Sequence, residues 1–98
     1  MLSRPARLLC AGHDPGLLQT RCAVLKHGGY HAQPATVADV GVLLGAQKFD
    51  LVIVSAWLDE WDKGKILAAA GKTPTLVLTE LIPAQQLLAQ VERLLGAI

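Results

Sequence analysis

The chain has 98 residues, of which 52% are hydrophobic, and a formal net charge of +1 at pH 7. This length favours a single domain over residues 1–98, because two separate cores would each be too small to be stable, and the hydrophobic fraction excludes a disordered chain. Lysines and arginines are scattered singly, so the sequence predicts no nucleic-acid partner and no binding to an acidic membrane surface.

The number and placement of the cysteines indicate the redox state of the compartment in which the protein resides. Cys10 and Cys22 both lie in apolar segments and are too few for a disulfide framework, which favours a reducing environment. The start of the chain resembles neither a signal-peptide core nor a membrane span. We therefore expect a cytoplasmic protein without membrane contact.

The first predicted elements are a strand over residues 6–11 and a helix. Asp14 suits the N-cap of that helix and Pro15 suits its first turn. The pair Gly28-Gly29 is expected to end it. The apolar residues expected to face the sheet recur at helical spacing: Leu18, Cys22 and Leu25.

The next pair is a short strand over residues 30–33 and a helix from Thr36, its expected N-cap, to about residue 47. The residues expected to face inward from this helix are Val40, Leu43 and Leu44.

An apolar run over residues 49–55 predicts a third, buried parallel strand that ends at Ser55. A helix through about residue 70 follows, and a fourth strand is expected over residues 75–79. Pro83 then begins a final helix. One face of that helix is apolar and consists of Leu87, Leu88, Val91, Leu94 and Leu95.

Strands that alternate with helices indicate βαβ units, and right-handed crossovers make all four strands parallel. The run ending at Ser55 and the segment from Thr73 to Thr79 resemble the third and fourth strands of bacterial two-component receiver domains. That resemblance implies a flavodoxin/CheY-like three-layer α/β/α sandwich, a four-stranded parallel sheet in the order 2-1-3-4, and a role in response-regulator phosphorelay signalling. It places Thr79 at the family's switch position.

The chain is shorter than the family pattern. Only Glu80, Leu81 and Ile82 separate Thr79 from Pro83, whereas receivers have a fourth helix and a fifth strand there. The resemblance places the last helix beside the first, but a direct exit from strand four would also let it occupy the place of the missing helix.

The resemblance also implies that the phosphorylation chemistry has been lost. Ser55 lies at the phosphoacceptor position, and Gly12 and His13 lie where receivers have a metal-binding acidic pair, while Asp14 matches a third, less essential acidic position. Magnesium prefers hard oxygen ligands, so a glycine and an imidazole do not replace two carboxylates. The family's phosphate-contacting lysine is absent, and we expect neither a metal nor a cofactor.

These features favour a pseudo-receiver that acts by protein contact. Without a fifth strand, strand four becomes a sheet edge, and apolar edges are usually covered or paired. We expect a signalling-protein partner or a homodimer that uses strand four and the last helix. The candidate contact residues are Trp57, Trp61, Leu87 and Val91. Trp61 could instead fill space left by the missing helix.

A second hypothesis comes from Cys10. The segment around it resembles the end of the first strand in B components of some sugar phosphotransferase systems, which implies a cysteine phosphocarrier. The alternative interpretation is that Cys10 is simply a small buried residue of the core.

The remaining polar residues suggest no enzyme, since no nucleophile, base and orienting acid recur at workable positions. His13 alone is more typical of a solvent-facing loop than of a metal or phosphate site. Asp59, Glu60 and Asp62 are more typical of a solvated helix start.

Overall fold

A computed structural model of the chain describes residues 5–56, 58–78 and 82–96. Its strands are β1 (Arg7–Ala11), β2 (His31–Ala35), β3 (Leu51–Val54) and β4 (Thr75–Val77), and its helices are α1 (Pro15–His27), α2 (Val37–Ala46), α3 (Glu60–Ala70) and α4 (Ala84–Gly96). The strands form one parallel sheet in the order β2-β1-β3-β4. This is the predicted α/β fold of the flavodoxin/CheY-like type, and it is confirmed.

Helix α1 begins and ends as its sequence predicts. The Asp14 carboxylate accepts a hydrogen bond from the backbone N–H of Leu17 at 3.2 Å, and Pro15 occupies the first turn. At the other end Gly29 has a φ of 98°, a left-handed conformation that favours glycine.

Strand β2 is longer than predicted and includes Pro34. The N–H of His31 donates to the Ala6 carbonyl at 2.9 Å, and the carbonyl of Ala35 accepts from Gly12 at 3.1 Å. Because backbone groups alternate along a strand, Pro34 faces away from β1 at the open edge of the sheet. A proline is tolerated at an edge, since no ladder bond needs its missing N–H.

The fourth strand is shorter than predicted, because β4 ends at Val77. The N–H of Leu78 still donates to the Val54 carbonyl at 2.9 Å, so the path continues beside β3 for one residue more. Thr79 lies outside the described residues.

The last helix covers the same face of the sheet as α1. Leu87 and Val91 are buried in one cluster with the α1 stripe of Leu18, Cys22 and Leu25. A Cβ atom on Gly28 would lie 2.7 Å from Cδ2 of Leu88, so α4 packs closely against the end of α1. This arrangement resolves the choice that the sequence left open, in favour of the position beside the first helix.

Helices α2 and α3 cover the opposite face. Val40 from α2 and Ile66 and Ala70 from α3 are buried there with Phe49 and Leu58. Thr36 precedes α2 as predicted, but its side chain makes no capping hydrogen bond to a backbone amide. Its hydroxyl donates instead to the Asp39 carboxylate at 3.0 Å. The core therefore consists of two layers on either side of the central strands β1 and β3, which are buried except at Arg7.

Candidate functional site

Two of the positions that the sequence singled out, Gly12 and Ser55, lie side by side where β1 and β3 end. The backbone N–H of Ser55 donates to the Ala11 carbonyl at 3.0 Å, which places Ser55 directly beside Gly12. This is the carboxyl edge of the sheet, where open α/β folds bind their ligands. The fold thus brings together the Ser55 and Gly12 positions that the sequence singled out.

The space between these two positions is closed. A Cβ atom on Gly12 would lie 2.9 Å from the Cβ atom of Ser55 and 3.3 Å from Cδ2 of Leu18. Ser55 itself is 4% exposed. A side chain at position 12 would therefore collide with its neighbours, so the two positions do not form an open cleft.

His13 and Asp14, the next two residues of this loop, have separate roles. His13 is exposed, and its Nε2 atom lies 2.9 Å from Oδ2 of Asp62 in α3. Asp14 caps α1 through the amide of Leu17. The pair of His13 and Asp62 ties the loop after β1 to the helix after β3.

The acidic residues at the start of α3 are arranged around that helix end. Asp59 is the N-cap, and its Oδ1 atom accepts a hydrogen bond from the Asp62 amide at 2.8 Å. Glu60 lies 3.9 Å from Lys63 on the helix surface. Their role as a helix start agrees with the sequence interpretation, but the partnership of Asp62 with His13 was missed.

No metal-binding set is formed by the residues that the structure describes, since no three histidine, cysteine or acidic side chains gather there. Among the carboxylates that follow β1 and β3 in the chain, Asp14 and Asp59 each accept a backbone amide, and Asp62 pairs with His13. The side chains at this edge are thus engaged in holding the loops and helix ends.

Cys10 lies away from the edge, inside the core. It is fully buried and pairs with Pro34 on one side and Ile53 on the other. A hydrogen bond with Cys22 and burial raise the pKa of its thiol well above the ordinary range. Both effects oppose a thiolate, so this position is poorly suited to a phosphorylated nucleophile.

The candidate contact residues divide into three groups. Trp61 is 74% exposed, with Nζ of Lys65 5.8 Å from its ring centroid, so it does not fill space inside the fold. Leu87 and Val91 are 3% and 0% exposed, so their assignment as contact residues is corrected: they pack α4 onto the sheet. Trp57 and the switch-like Thr79 lie outside the described residues.

Arg21 is a buried polar residue that sequence reasoning missed. It lies beside the apolar stripe of α1, is 6% exposed, and its Nη1 atom has no hydrogen-bond partner within the part of the chain that the structure describes. Burial lowers the pKa of its guanidinium. A buried polar atom without a hydrogen-bond partner is costly to a fold.

A groove of about 520 Å³ lies at the opposite, amino edge of the sheet. Its walls include Arg7, Lys26, Tyr30, His31 and Phe49. The Arg7 guanidinium already contacts the Gln47 side chain and lies 5.7 Å from the Phe49 ring centroid. The groove is separate from Ser55 and adds no group to the candidate site.

None of the helices among the described residues is both long and apolar enough to cross a membrane. Comparison with models of protein families and with curated proteins gave no match to this chain.

Proposed function

We propose that the protein is a cytoplasmic pseudo-receiver, a signalling module that resembles a response regulator but does not run an aspartyl-phosphate cycle. It acts through protein contact and is not an enzyme. The observation that supports this proposal is the close approach of positions 12 and 55: a Cβ atom on Gly12 would lie 2.9 Å from the Cβ atom of Ser55, so a carboxylate side chain at position 12 would not fit.

The surroundings of these two positions support the same function. A phosphoryl group at Ser55 would enter a position that is only 4% exposed. His13 is held by Asp62, and Asp14 is held as a helix cap. These residues stabilise loops that in a working receiver would coordinate ligands.

The test is exposure to magnesium and a small acyl-phosphate donor, followed by intact-mass measurement. We expect no added phosphoryl group, and none on a Ser55→Asp variant, because the buried position lacks the metal ligands that the reaction needs. An adduct of one phosphoryl group that Ser55→Ala or Asp14→Asn abolishes would overturn the proposal. Enzymatic transfer of phosphate to Cys10 would favour the phosphocarrier hypothesis.

The contact surface that we propose is the open edge of β4. Pro74 and Leu78 bond to β3 through the Pro74 carbonyl and the Leu78 amide. By the alternation of a strand, the amides of Thr75 and Val77 therefore face outward, away from β3. An unpaired edge is a template for another strand.

The partner that fits this edge best is a second copy of the chain. A twofold axis brings the same edge of two copies together, so each strand supplies the donors and acceptors that the other needs. The other sheet edge is less suitable, because Pro34 removes an outward donor from β2. The asymmetry of the two edges supports a dimer joined through β4.

Sedimentation velocity at tens of micromolar protein tests this dimer. Thr75→Pro removes an outward N–H while keeping the bonds of Pro74 and Leu78 to β3, so we expect it to yield monomers. Thr75→Val is the matched control, because it keeps the N–H and the branched shape and should still dimerise. A monomeric wild type, or equal dimerisation of the Thr75→Pro variant, would contradict the proposed surface.

A further inference from the structure

The groove at the amino edge of the sheet is large enough to hold a small organic molecule. Its volume is about 520 Å³, and ligand sites in proteins usually measure about 300–1,000 Å³. Strands β1 and β2, the end of α1 and the segment before β3 all contribute to its walls. It lies at the edge opposite Ser55, so an occupant of the groove would not involve the receiver-like positions.

Part of the groove's lining is apolar and aromatic. Leu8, Ala32 and Phe49 line it and are 0%, 7% and 8% exposed, and the half-buried Tyr30 lies among them. Tyr30 and Phe49 are the only tyrosine and the only phenylalanine of the chain. A flat aromatic body placed here would gain from the removal of apolar surface from water and from ring contacts.

The charged part of the lining is cationic. Arg7, Lys26 and His31 contribute a guanidinium, an ammonium and an imidazole, and no acidic side chain of a described residue lines the groove. Asp50 and Glu92 belong to adjoining segments but not to the lining, and Oδ2 of Asp50 accepts the backbone amide of Arg7 at 2.7 Å. Because a cavity with charge of one sign attracts the opposite sign, the lining favours an anion.

Two of these side chains remain available to a ligand. The Arg7 guanidinium already contacts the Gln47 side chain, so it supplies charge more than a free hydrogen-bonding fork. Lys26 and His31 are exposed, and neither forms an ion pair within the part of the chain that the structure describes. By the alternation of β2, the N–H of Ala32 also faces away from β1. These three groups are the donors that an anionic head group could reach.

A peptide strand is a less suitable occupant of this edge. The residues of β2 that face outward within the groove are Ala32 and Pro34, and Pro34 has no N–H. An added strand needs a regular series of backbone donors and acceptors, whereas a single anionic group can be bound by one amide and two side chains. The backbone chemistry therefore favours a small molecule.

We propose that this groove is a binding site for a small aromatic anion, a molecule that carries one carboxylate or phosphate group on a flat apolar body. The anionic group contacts Lys26, His31 and the Ala32 amide, and the body lies against Tyr30 and Phe49. Such a ligand is additional to the protein contact proposed above and does not depend on the chemistry at the other edge of the sheet.

Titration of the full chain with phenyl phosphate, followed by amide NMR, tests the site. We expect saturable shifts at Lys26, His31 and Ala32, no shift at Ser55, and a dissociation constant of about 1 mM or tighter. Benzoate is titrated in parallel, and the tighter of the two probes identifies the preferred head group. Benzyl alcohol keeps the ring without the charge, and inorganic phosphate keeps the charge without the ring, so each should bind at least about fivefold more weakly.

Charge variants show whether binding occurs in the groove. Lys26→Gln and His31→Gln should each weaken phenyl phosphate about fivefold, and both positions are exposed, so the fold should be kept. Lys65→Gln removes a charge from the exposed surface of α3 and is the matched control, which should bind like the wild type. Absence of saturable shifts with both aromatic anions, equal binding of benzyl alcohol, or unchanged affinity in Lys26→Gln would overturn the proposal.

Discussion

Gly12 and Ser55 follow the ends of adjacent strands so closely that a methyl group on Gly12 would lie 2.9 Å from the Ser55 Cβ atom. These two positions, which the resemblance to receivers aligns with carboxylates around a metal, leave no room here for a side chain at position 12. The glycine is thus required by space, because any side chain would displace Ser55 or Leu18.

Gly12→Ala is expected to lower the free energy of unfolding by about 1–3 kcal/mol, because overpacking a closed site forces its neighbours to move. Urea denaturation measures the change. Gly45→Ala is the matched control, since a Cβ atom at this α2 position meets no atom within 4 Å. That control should gain about 0.5–1 kcal/mol from the higher helix propensity of alanine.

A second substitution checks the cause. Ser55→Gly removes the Cβ atom that Gly12→Ala would approach, so the double variant should recover part of the loss. If the two substitutions are simply additive, the contact between positions 12 and 55 does not explain the effect.

Asp59 and Asp62 lie in one helical turn but are expected to differ in importance. Asp59 caps α3 through the Asp62 amide, so Asp59→Ala should cost about 1 kcal/mol. Asp62 pairs with the exposed His13, and Asp62→Ala should cost about 0.5 kcal/mol or less, since surface ion pairs contribute little. Thermal or urea unfolding of both variants measures the difference, and a larger cost at Asp62 would show that its link to the β1 loop is structurally important.

Arg21→Met is expected to stabilise the fold by about 1 kcal/mol, because it replaces a buried, incompletely partnered charge with an apolar chain of similar length. Urea denaturation with an unchanged slope measures it. Arg93→Met on the exposed side of α4 is the control and should change stability by less than about 0.5 kcal/mol. A clear loss of stability in Arg21→Met would mean that the guanidinium has a stabilising partner in solution.

Ionisation of Tyr30 is expected to lower the free energy of unfolding at alkaline pH. Burial, with a smaller contribution from Glu92, raises its pKa above the ordinary value of 10.0. Above pH 10.0 the unfolded chain loses the phenol proton while the folded chain keeps it, so stability decreases as pH rises through that value. Urea midpoints measured between neutral and alkaline pH should show a shallower decline in Tyr30→Phe, and an identical decline would exclude Tyr30 as a source.

Local signals allowed much of the fold to be predicted. Asp14 and Pro15 start α1, and its inward stripe of Leu18, Cys22 and Leu25 is buried, because capping and helical spacing are properties of short segments. The extent of β2 was not predictable in the same way. Pro34 is acceptable only because β2 is an edge strand, and an edge is a property of the whole sheet.

The sequence predicted where in the fold the candidate site lies, but it did not predict which side chains contact each other there. Parallel strands bring Gly12 and Ser55 to one edge, whereas the pair of His13 and Asp62 joins residues 49 apart in sequence and depends on side-chain directions. The sequence does not distinguish between two interpretations of the apolar face of α4. Leu87 and Val91 would look the same whether they covered the chain's own sheet or a partner.

The outward position of Pro34 has a consequence for assembly beyond the choice of partner. If two copies join through β4, the combined sheet ends at β2 on both sides, and each end carries a proline in place of an amide donor. No further strand can then be added with a full set of backbone bonds. The association would close at two copies, and the protein would be protected from growing into fibres.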